Sequence, residues 1–95
     1  MITVKEMQNS LRLDGDIDAD LIQRYINTAE NYVKNAVDST VDLSVYRNID
    51  EFNSAVALLT EFYYQTRAEA TDTPSKRPYE VTAIIGQLKG MDLGE

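Results

Sequence analysis

Ninety-five residues with a net charge of −7 leave room for one small, thin core. The absence of Cys and His excludes a disulfide framework, thiolate metal sites, cysteine nucleophiles and the usual imidazole base. Nine basic against sixteen acidic side chains make a poor non-specific partner for phosphate backbones, and the longest apolar run, Ala55–Leu59, is far short of a membrane span.

The first residues, MITVKEMQ, carry no basic-then-apolar leader pattern, so the chain reads as cytosolic. Thr3 followed by Glu6 fits a capping box, with Ile2 and Met7 as the hydrophobic staple, and predicts a short helix over about Val4–Leu11. A second helix is predicted over about 18–37. At 100° per residue, Leu21, Ile22, Tyr25, Ile26, Ala29, Tyr32, Val33, Ala36 and Val37 fall within an arc of about 160°, and every polar residue falls outside it. Asp16, Asp18 and Asp20 supply a cap and negative charge at its start. Residues 38–49 show no helical period. Val41, Leu43 and Val45 alternate with polar residues, which suggests a short extended piece or an irregular loop.

Asp50 is expected to cap a third helix over about 51–68. Only Ser54, Glu61 and Gln65 break its apolar surface, so it is either central to the bundle or shared with a neighbour. The stretch ATDTPSKRPY reads as a mobile linker over about 70–78. A fourth helix, about 79–88, carries the stripe Val81, Ile84, Ile85 and Leu88 and ends before Gly90. The predicted fold is all-α and single-domain: two long antiparallel helices flanked by two short ones.

Little in the chain suggests chemistry. Asp14, Asp16, Asp18 and Asp20 occupy the odd positions of a calcium loop. Ala19 then stands where the loop needs Gly, and Tyr25 where it needs a bidentate Glu. A turn leading into a helix start explains the run better. Glycines 15, 86, 90 and 94 are isolated and form no phosphate loop. No acidic residue sits on an apolar helix face, and no Ser or Thr has an activating base. The expectation is no catalysis, no cofactor and no metal. Tyr25, Tyr32 and Tyr63 lie inside apolar arcs and read as core. Tyr64 lies off the main face, beside Ala57 and Ala68, and reads as an interface anchor.

Three stretches carry a resemblance: LRLDGDIDADLIQRYINTAENYVKNAV, FNSAVALLTEFYYQTRAE and VTAIIGQLKG. Together they resemble the head–tail connector proteins of tailed phages and prophages, the QLRG DNA-packaging family. The matching motifs are Leu11-Arg12-Leu13-Asp14, Tyr64-Gln65-Thr66-Arg67 and Gln87-Leu88-Lys89-Gly90, in order and spread over about residues 2–90. Lys89 departs from the family's usual Arg and lacks its planar fork. The resemblance implies a structural virion protein. It would form a closed ring of about a dozen copies beneath the portal, extend the DNA channel after packaging, and offer a docking surface to a stopper or tail-completion protein. DNA would pass through the lumen without specific binding. The implied location is the virion head–tail junction, reached from the bacterial cytoplasm during assembly. Tyr64, Arg67, Ile84, Gln87, Leu88 and Lys89 are the residues assigned to subunit or portal contacts, with residues 79–95 as an assembly element. The alternative is a small acidic helical adaptor that binds a host or phage protein as a monomer or dimer.

Overall fold

The computed structural model describes residues 1–66 and 78–91. Among them the chain is all-helical: α1 (Val4–Ser10), α2 (Ala19–Val37), α3 (Leu43–Tyr46), α4 (Asp50–Thr66) and α5 (Tyr79–Lys89). The long pair α2 and α4 forms the body, with α1 and α5 each packed on both. The pair is antiparallel. The Tyr64 hydroxyl near the end of α4 donates to Asp18 just before α2, and Arg47, just before α4, pairs with Glu30 in the second half of α2.

The capping box forms as its sequence dictates. Thr3 Oγ1 accepts the Glu6 N–H and the Glu6 carboxylate accepts the Thr3 N–H, both at 3.2 Å. The helix closes at Ser10, one residue earlier than expected, because the chain turns left-handed at Arg12 (φ +57°). The Arg12 N–H then reaches the Asn9 carbonyl at 3.2 Å and the Leu13 N–H reaches Gln8 at 2.9 Å. These are the two bonds of a Schellman motif, with an arginine where glycine usually stands.

In α2, Ile22, Ile26, Ala29 and Val33 are buried, as the periodicity requires. Two edges of the arc depart from expectation. Tyr32 is 39% exposed rather than core, and Glu30, placed on the polar side, is buried. Asp18 holds the N-cap position of α2, but its side chain makes no capping bond to the helix amides; it accepts from Tyr64 instead.

Residues 38–49 correct the expectation of an extended or irregular segment, since they contain the helical turn α3. The Asp42 carboxylate accepts the Ser44 N–H at 3.0 Å and starts the turn. Tyr46 is driven fully into the core, with its ring stacked on Phe52 at 5.0 Å and its hydroxyl donating to the Asp38 carbonyl at 2.8 Å. Burial of one large aromatic outweighs a weak two-residue alternation.

Asp50 is the first residue of α4 rather than its cap. The helix buries Phe52, Ala55, Val56, Leu59, Thr60 and Tyr64, and the Thr60 hydroxyl donates back to the Val56 carbonyl at 2.7 Å. Its expected end at Ala68 lies outside the described residues, as does the expected linker apart from Pro78. The last helix, α5, buries Val81, Ile85 and Leu88 against α4 and α2. A helix this short holds its shape through such packing rather than propensity, and each buried aliphatic contributes about 1.5–3 kcal/mol.

Candidate assembly surfaces

Of the six residues assigned to contacts by sequence, the five within the described residues separate into inward and outward groups. Leu88 is fully buried and Tyr64 nearly so. Tyr64 ties the end of α4 to the start of α2, where Asp18 accepts its hydroxyl proton. Ile84 is half-buried at the edge of the core, and Gln87 and Lys89 face solvent on α5. Lys89 sits in the last turn, where the helix dipole favours a cation. Arg67 lies outside the described residues. The α5 stripe is therefore core of its own subunit through Val81, Ile85 and Leu88, and its polar side is what a partner can reach. Gly86 lies on that side, with open space where a Cβ would point.

The turn between α1 and α2 is fixed from several directions. The Schellman bonds close its entry, and Gly15 adopts φ +81° in its middle. The Gln8 side chain donates to the Gly15 carbonyl at 3.4 Å and to Asp16 Oδ1 at 3.0 Å. Nearby, the Ser10 hydroxyl donates to Glu61 of α4. At the crest of this braced turn Ile17 is 94% exposed, with Asp14, Asp16 and Asp20 exposed around it. Among the described residues no group of three or more acidic side chains is placed to hold a metal ion.

At the opposite end of α2, Arg47 grips Glu30 with both arms of its fork: Nε to Oε2 at 2.9 Å and Nη2 to Oε1 at 2.8 Å. The carboxylate is 2% exposed and the guanidinium 32%. The hydrogen bonds to Glu30 hold the Arg47 pKa above its ordinary value. The Arg47 carbonyl in turn accepts from Asn53 Nδ2 at 3.1 Å, which joins the crossover to α4. Sequence reasoning missed this pair, although a signal was present: Glu30 lies only about 20° beyond Val37, the last residue of the apolar arc.

Withdrawal of Glu30 leaves the outward side of α2 with an unusual composition. Gln23, Arg24, Asn27, Thr28, Asn31 and Asn35 are exposed and Lys34 is half-buried, and α2 carries no exposed carboxylate after Asp20. The Gln23 and Asn27 amides bond each other at 3.0 Å, and the Thr28 hydroxyl donates to the Arg24 carbonyl at 2.9 Å. Along one flank, half-buried aromatics pack across the helix pair, with Tyr25 and Tyr63 ring centroids 5.8 Å apart and Phe62 and Tyr63 6.3 Å apart. Burial raises the Tyr63 pKa above its ordinary value.

In comparison with known proteins, the family model described as phage gp6-like head-tail connector protein matches residues 1–89. Neither the curated proteins nor the solved structures yield a match.

Proposed function

Since the chain belongs to the phage gp6-like head–tail connector family, we propose that it acts as a ring-forming adaptor beneath the portal of a tailed phage. The ring extends the DNA channel once the genome is packaged and gives a stopper or tail-completion protein its docking surface. The observation that carries this reading is the family match, which spans the bundle from before α1 to the last residue of α5. The acidity of the chain supports the channel role, because a wall of net-negative subunits lets DNA pass without adhering. Its work is structural, without catalysis, a cofactor or a metal. It takes place at the virion head–tail junction after assembly from the bacterial cytoplasm.

Within this role Gln87 and Lys89, with Ile84 at their edge, are the α5 groups available to the portal or to a neighbouring subunit. Leu88 and Tyr64 support them from inside the bundle, and Arg67 completes the assigned set. Electron microscopy of the protein mixed with its cognate portal tests the reading. A ring of added density coaxial with the portal is the expected result. A monomer or dimer with no portal affinity would return the chain to the class of small acidic adaptors.

A further inference from the structure

In a ring each subunit must meet its neighbours, so a contact between copies rests on the connector reading. The chain presents two surfaces that complement each other better than themselves. One is the turn between α1 and α2, with Ile17 94% exposed at its crest, Asp14, Asp16 and Asp20 around it and Arg12 at its base. The other is the outward side of α2, where Arg24 and Lys34 stand among amides and a hydroxyl, with no exposed carboxylate after Asp20. In a chain with sixteen acidic side chains, that side carries few carboxylates, Asp20 at its near end and Asp42 close to Lys34 at its far end, so another acidic copy meets little repulsion there. The scarcity exists because Glu30, the one carboxylate of α2 after Asp20, is turned inward onto Arg47.

We propose that the turn of one copy seats on the outward side of α2 in the next copy. Ile17 is the apolar anchor, and Asp14 and Asp16 face Arg24 and Lys34. Turn against turn sets aspartates against aspartates, whereas the mixed contact brings the aspartates of one copy to the cations of the next. A contact between two different patches is head-to-tail, the kind that closes into a ring rather than stopping at a dimer. The turn is suited to docking because little order remains to be imposed. Its bonds to Gln8 and its left-handed closure at Arg12 already fix it, so the entropy lost on contact is small.

The chain has no cysteine, which makes the contact directly readable. Ile17→Cys and Asn31→Cys are introduced in separate copies, mixed, assembled on portals and mildly oxidised. Cross-linked pairs containing one copy of each are expected, with neither variant linking to itself. Rings that form but give no mixed cross-link, or that link Ile17→Cys to itself, would overturn the contact while leaving the connector reading intact. Wild-type protein that never assembles would instead remove the ring, and this contact with it. In parallel, Arg24→Glu with Lys34→Glu should weaken self-association about tenfold. Adding Asp14→Lys and Asp16→Lys should restore it to within about threefold of wild type. The far-ultraviolet helical signal should stay constant throughout, because Arg24, Asp14 and Asp16 are exposed and Lys34 is only half-buried, outside the core. Charge-reversed rings as stable as wild type would sink the proposal and leave the face open to a different partner, DNA included.

Discussion

Between α1 and α2 the chain turns largely on hydrogen bonds to the main chain, with Arg12 in the left-handed region and Ile17 in water. Between α2 and α4 the chain also closes on main-chain bonds, among them the Arg47 N–H to Leu43 and the Ile49 N–H to Tyr46, but here Tyr46 and the Arg47–Glu30 pair are drawn inward. Both segments are polar and rich in aspartate, yet they contribute in opposite directions. The turn leaves Asp14, Asp16 and Ile17 in water. Where the gap between two long helices must be filled, side chains are consumed by the core. On the proposed contact, the crossover governs stability and the turn governs association.

Substitutions that remove the inward groups break this contrast most severely. Tyr46→Ala empties a fully buried site beside Phe52 and should cost about 3–4 kcal/mol in chemical denaturation. Tyr46→Phe, which loses only the bond to the Asp38 carbonyl, should cost about 1 kcal/mol. Arg47→Ala strands the buried Glu30 carboxylate. Because a third of the guanidinium already meets water, about 2 kcal/mol is expected, at the low side for a broken buried pair. Combining Glu30→Met with Arg47→Met should recover most of that loss, since no charge is then left without its partner. An unchanged denaturation midpoint for Arg47→Ala would mean that the pair contributes nothing to the crossover.

The crossover should also be the acid-sensitive end. Hydrogen bonds from Thr40 hold Asp38 below its ordinary value of 3.8, and bonds from Ser44 do the same for Asp42. Near that pH the unfolded chain binds more protons than the folded one. The stabilisation is thus complete above about pH 4 and is lost as pH falls further. Asp38→Asn with Asp42→Asn should flatten the fall in melting temperature between about pH 5 and pH 3; an equally steep fall would place the acid sensitivity elsewhere.

Changes at the turn should be smaller and of different sign. Arg12→Gly relieves a left-handed residue and should stabilise the fold by about 0.5–1 kcal/mol in thermal unfolding. A loss of stability there would show that the arginine side chain contributes within the subunit. Smallest of all, Ile17→Ser should leave stability within about 0.5 kcal/mol of wild type, as expected for a residue 94% in water. A large loss would transfer the turn to the structural side of the comparison.

The elements most legible in sequence are those set by local rules. Thr3 and Glu6 announce a cap, and the unbroken arc from Ile22 to Val33 announces a buried stripe; both form. Features set by contacts distant in sequence are hidden. Tyr46 looks like one more polar-aromatic loop residue until Phe52 is placed beside it. Glu30 reads as solvated until Arg47 arrives from seventeen residues downstream. Tyr64 reads as an interface anchor because it lies off the main apolar face of its helix; in the fold it is 8% exposed and its hydroxyl donates to Asp18. Of the assigned contact residues, Gln87 stands where a helical wheel puts it, across the helix from Val81 and Ile85, whereas Lys89 lies beside Ile85 on the wheel and is exposed as the last residue of α5.

The antiparallel pairing of α2 with α4 also sets an order in time. Only residues 38–49 separate the two helices, so little chain entropy is lost in bringing them together, and sequence-near helical contacts belong to the fast end of small-domain folding. α5 docks onto the surface that this pair creates, because its own three turns are marginal alone. Opening should reverse the order, with amides of α5 exchanging through release of one short helix before those of α2, whose exchange requires the bundle to come apart. The outward side of α2 is accordingly among the first surfaces a newly made chain presents and among the last it gives up.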